Sequence, residues 1–214
     1  MPSEPRHTIA GDSMAAHGWV EASALPEKTK ALLHRFIARF PSLTFYKDDT
    51  ADLDAEEEAR RVAFPRWLRA ICQTVRSVEP GQFVWARFDA SIHPFLTGDE
   101  LRDNWYSIGP FGYFSQERPM LDSMVGLQLL PIGEDETAGG SSFAINLADH
   151  TDQRVYEYVL ENLQHNRSSG TPLERSVYPM FASYAEMFGQ IVGLKLEAED
   201  GTTRVVDAQN VIED

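Results

Sequence analysis

The chain has 214 residues, with 19 Lys and Arg against 33 Asp and Glu, a formal charge of −14. That length suits one large α+β domain, which buries roughly 70% of its unfolded surface and needs no disulfide staples. The charge argues against nucleic acid and anionic lipid as partners and for a basic protein, although solubility alone explains the same excess.

Residues 1–24 are rich in small and polar types and lack periodicity before Trp19, which reads as a flexible N-terminal arm. Pro26 opens a helix, because proline suits the first turn. Leu33, Phe36, Ile37 and Phe40 then give the apolar stripe of an amphipathic helix that Pro41 ends. The acidic run from Asp48 to Arg61 superficially suggests calcium. Counting from Asp52, however, Glu57 and Ala63 stand where a calcium loop needs glycine and glutamate. A helix start fits better, with Asp54 as cap and Glu57 closing a capping box. Pro65 begins the next helix, to Val78, with Leu68, Ile71, Cys72 and Val75 along one side. Cys72 is the single cysteine, so an internal disulfide is excluded, and its apolar setting reads as core.

The middle is strand-like: Phe83–Phe88, Trp105–Ile108, Phe111–Ser115, Val125–Ile132, Ser142–Leu147 and Arg154–Leu160. Met180–Val192 reads as a closing helix. Residues 193–214 read as a β-hairpin extension pivoting on Asp200-Gly201. No stretch reaches the ~20 apolar residues of a membrane span. No basic start with an apolar core marks a signal peptide, so a cytoplasmic protein is expected.

The chemistry-bearing residues form no recognisable catalytic set. Six histidines make neither a zinc-protease helix motif nor a cysteine–histidine cage. His150 beside Asp149 and Asp152 resembles a carboxylate–imidazole cluster, but a polar turn between strands explains it as well. Gly139-Gly140-Ser141-Ser142 matches neither a nucleophile elbow nor a phosphate loop. Glu134, Asp135 and Glu136 form an acidic stretch in a predicted loop. Adjacent loop carboxylates stay solvated, so they fit partner contact better than proton transfer. Trp105 and Tyr106 belong to the aromatic, glycine-containing segment WYSIGPFGYF, which suits either a binding surface or a packed sheet. These five residues are the candidate partner interface. No cofactor, metal or catalytic residue is expected.

Several segments together resemble the SUKH, or Smi/Knr-like, superfamily. Ala55–Ile71 (AEEEARRVAFPRWLRAI) looks like its acidic helix leading into a proline-initiated second helix. Pro131, Ile132, Gly133, Asp135, Gly139, Gly140, Phe143, Ile145, Asn146 and Leu147, then Val155-Tyr156, look like its central strand motif. Phe181, Ser183, Tyr184, Glu186 and Met187 look like its closing helix. The likeness covers roughly Leu53–Val192. The loop GEDETAGG is longer than the usual form, and residues 92–124 match nothing in it. The resemblance implies an α+β fold with a mixed, mainly antiparallel sheet flanked by helices, over residues 25–192 with the SUKH-like core at about 53–192. It also implies a non-catalytic protein-binding role, most often an immunity protein that neutralises a toxin such as a nuclease. A regulatory scaffold of the same fold is the alternative, and a hydrolase using His150 or Glu134–Glu136 is a third reading.

Overall fold

The computed structural model describes residues 8–10, 12–77, 81–85, 106–108, 124–135, 141–159, 163, 165, 168, 170, 177–197 and 203–207. It is an α+β structure. A three-stranded sheet joins β1 (Thr8–Ala10), β2 (Phe45–Lys47) and β3 (Arg76–Ser77) in the order β1-β2-β3. An eight-stranded sheet contains β4 (Gly81–Trp85), β5 (Tyr106–Ile108), β6 (Leu129–Asp135), β7 (Ser141–Asn146), β8 (Val155–Val159), β9 (Val177–Phe181), β10 (Ile191–Glu197) and β11 (Thr203–Asp207). Its order is β11-β10-β4-β5-β6-β7-β8-β9. Every pairing among these strands is antiparallel, where a mixed, mainly antiparallel sheet was expected. Consecutive strands from β4 to β9 are neighbours, so no parallel crossover is needed.

Four of the helices precede the large sheet and one lies between β9 and β10; residues 124–126, between β5 and β6, are helical as well. Helix α1 (Ser13–Ala22) begins at Asp12, whose Oδ1 accepts from the Ala15 amide at 2.8 Å. Ala16, Trp19 and Val20 stand at helical spacing; Ala16 and Val20 are buried, and Trp19 packs on the core. Part of the stretch read as a flexible arm is therefore a strand and a docked helix. Helix α2 (Glu27–Arg39) follows Pro26 as expected and buries Leu33, Phe36 and Ile37. Helix α3 (Thr50–Arg60) is capped by Asp49, not Asp54, and the box closes on Asp52. Glu57 serves elsewhere: it accepts from the Phe64 amide at 2.6 Å and from Arg69, which also binds Asp54 at 2.7 Å. The acidic run thus clamps α4 (Arg66–Cys72), which ends at Gln73, short of the expected Val78.

The C-terminal elements differ most from expectation. Phe181 closes strand β9 and is not part of a helix. Ser183 then caps the short helix α5 (Tyr184–Gly189), its hydroxyl accepting from the Glu186 amide. Ile191 and Val192 already belong to β10. The expected hairpin forms, with Leu194 opposite Val206. Yet β10 also pairs with β4, so the hairpin is part of the sheet and not an appendage. Pro179 sits in edge strand β9, where a missing amide does least harm to the ladder.

One core lies between the helices and one face of the sheet. It joins Leu33, Phe36, Ile37, Phe40, Leu53, Leu68 and Ile71 to Leu130, Ile132, Phe143, Ile145, Val155, Phe181 and Phe188. The alternating residues Leu129, Ala144 and Tyr158 form a smaller cluster with Met124 and Leu163. Trp67 is only partly covered and tilts against Tyr184 with ring centroids 6.1 Å apart. α2 and α5 meet closely: a Cβ on Gly189 would stand 2.9 Å from Leu32 Cδ2. Among the described residues no helix is long and apolar enough to cross a membrane.

Candidate functional site

Two regions carry the chemistry-bearing side chains singled out from the sequence. The first is the pairing of β5 with β6. Tyr106 stands opposite Asp135 and Ser107 opposite Glu134, whose other neighbour is Ser142 on β7. The register shifts between Pro131 and Gly133, an irregularity of the bulge type that resets the pairing of the last residues of β6. Glu134 and Asp135 therefore belong to a strand inside the sheet. The loop expected to begin at Gly133 is overruled by ladder pairing on both sides, which a run of carboxylates does not advertise. Trp105, Glu136 and the Gly139-Gly140 turn lie outside the described residues.

The second region is the turn from β7 to β8 and the cleft beside it. Asn146 Oδ1 accepts from the Ala148 amide at 2.9 Å. Asp149 Oδ1 accepts from the Thr151 amide at 2.9 Å and its hydroxyl at 2.7 Å, an Asx-type turn. Asp152 is buried to 9% exposure. Its carboxylate takes a two-point contact from Arg154, with Nε at 2.9 Å and Nη2 at 3.0 Å. It also accepts from the Arg154 amide at 3.1 Å and the Tyr156 hydroxyl at 2.6 Å. The Arg154 guanidinium lies 5.2 Å from the centre of the Tyr156 ring. His150 is exposed, and among the described residues no hydrogen bond or ion pair joins it to Asp149 or Asp152. The suspected carboxylate–imidazole cluster is thus a polar turn plus a carboxylate–guanidinium–phenol cluster.

The electrostatics follow from these contacts. Burial pushes the Asp152 carboxyl up, but the hydrogen bonds from Arg154 and Tyr156 outweigh it and hold the group well below the usual carboxylate range. Burial and the bond to Asp152 push the Tyr156 phenol up to about 12. An acid that stays ionised and a phenol that stays protonated exchange no protons near neutral pH. Asp152 is therefore an anchor of local structure. The spacing Asp-x-Arg-x-Tyr at a strand entrance was the available signal, since alternate residues share one side.

The adjoining cleft has a volume of about 320 Å³. Its lining includes Lys28, Thr29 and Leu32 of α2 together with Thr151, Asp152, Arg154 and Ser183. The Gln153 carbonyl accepts from the Tyr184 amide at 2.9 Å, tying the turn to the start of α5. Among the described residues no group of three or more His, Cys, Asp or Glu side chains is arranged to hold a metal ion.

Comparison with protein-family models, curated proteins and solved structures returns no match.

Proposed function

We propose that this chain is a non-catalytic protein-binding module that meets a basic partner. On its resemblance to the SUKH superfamily, the reading is an immunity protein that neutralises a toxin by stoichiometric binding. The observation that carries the reading is the β5–β6 register. An aromatic segment and an acidic segment, far apart in the chain, run side by side with Tyr106 opposite Asp135. Strand pairing on both sides of β6 fixes their backbone before binding, which lowers the ordering cost of association. The charge of −14 adds long-range attraction for a cationic surface. The locked Asp152–Arg154–Tyr156 cluster supports a scaffold role for the turn beside the cleft.

The test is capture from native extract at low ionic strength, followed by titration of the captured protein's own activity. Inhibition that ends at a fixed stoichiometry supports an immunity role. A partner whose activity is unaffected by saturating binding supports the scaffold alternative. A captured molecule that is chemically altered on incubation contradicts the non-catalytic reading.

A further inference from the structure

Two histidines meet where α1 packs on α2. His17 Nδ1 and His34 Nδ1 lie 2.7 Å apart, and the rings stack with centroids 4.9 Å apart and planes at 28°. Two ring nitrogens at that distance form a hydrogen bond only when one carries the proton and the other a lone pair. On its other side, His34 Nε2 lies 3.5 Å from the exposed Glu21 carboxylate.

The surroundings do not offset a second proton. Lys30 Nζ donates to the Glu21 carbonyl at 3.3 Å and pairs with Glu27 at 3.1 Å. From β2, Lys47 lies 4.8 Å from the centre of the Trp19 ring on α1. Thr8, Ile9 and Ala10 of β1 bring no titratable side chain. Apart from Glu21, the charges these neighbours bring to the helix pair are cations or already matched.

The geometry points to an acid-opened latch, in which protonation of the second imidazole breaks the His17–His34 hydrogen bond, sets two cations in contact and frees α1 from α2. Burial first, and the adjacent His34 second, hold the His17 imidazole below its ordinary value. Docked α1 therefore binds fewer protons than released α1. Docking strength from this pair is complete above about pH 6.5, the ordinary histidine value, and is lost as pH falls through the lower docked value. Release uncovers Ala16, Val20 and Trp19, an apolar strip that is otherwise docked.

Hydrogen exchange of the α1 amides in the full chain, corrected for intrinsic rate, tests this from pH 8 to pH 5 with α4 as internal reference. The latch predicts that α1 protection falls by up to about tenfold per pH unit inside that window while α4 stays constant. His17→Gln should remove the slope. Flat α1 protection in the wild type, or an unchanged slope in both His17→Gln and His34→Gln, would overturn it. Should the variants fail to fold, imidazole nitrogen shifts of the wild type decide. A coupled titration with one ring below the ordinary value supports the latch, and two independent ordinary curves refute it.

Discussion

The Asp152 carboxylate and the Arg154 guanidinium, two residues apart, meet in a two-point contact at 2.9 and 3.0 Å. The Tyr156 hydroxyl completes the set at 2.6 Å. Asp152 and Arg154 of this cluster also line the cleft beside α2. Asp152→Asn keeps the shape and removes the charge, leaving the buried Asp152–Tyr156 part of a polar network partly unsatisfied, while Arg154 is exposed. We expect a loss of about 2–3 kcal/mol in denaturant unfolding, and about 1 kcal/mol for Tyr156→Phe. A change below about 0.5 kcal/mol for Asp152→Asn would show that solvent replaces the contacts freely.

The same carboxylate gives a pH dependence with a definite sign. Its folded value lies below the unfolded value of about 3.9, so its contribution is present above that value and is lost as pH falls through the folded one. Wild-type stability should drop on acidification below about pH 4, and the drop should be shallower in Asp152→Asn. Parallel curves for the two proteins would place the acid sensitivity elsewhere.

Phe181 is 4% exposed at the end of β9, opposite Val155, and joins the core shared with the helices. Phe181→Ala should cost about 3–5 kcal/mol through lost burial and the cavity left behind. A thermal shift near zero would mean that this end of the sheet does not support the core.

Arg61 ends α3 in the left-handed conformation, with φ 55° and ψ 41°. A Cβ is disfavoured there by about 1–2 kcal/mol, and glycine carries no such penalty. Arg61 is exposed, so Arg61→Gly should be neutral to stabilising by up to about 1 kcal/mol. Clear destabilisation in urea would reveal a contact made by the Arg61 side chain.

Periodic segments were the most legible in the sequence. The α2 stripe of Leu33, Phe36 and Ile37 and the alternation of Phe143 and Ile145 in β7 follow directly from which face is buried. Short elements were not legible. Helix α5 spans six residues, and β9 before it contains Pro179, so Phe181 to Ile191 imitates one continuous helical pattern. The α3 cap was misplaced because Asp49, Asp52 and Asp54 are chemically alike, and only the backbone decides which one bonds Asp52 N. In the candidate interface, Glu134 and Asp135 looked like loop because strand pairing overrides poor local propensity. The His17–His34 pair left no trace, since its members belong to two separate helices.

We propose that the β5–β6 region meets a basic partner. The most direct measurement is the association rate of the purified chain with its captured partner across a range of salt, for the wild type and for Glu134→Gln, Asp135→Asn and Glu136→Gln combined. Charges at the rim of an interface set encounter more than residence. Slower association and a flatter salt dependence are expected in the triple variant, with a smaller change in dissociation. An unchanged association rate and salt slope, with folding intact, would contradict it and leave the acidic excess to solubility.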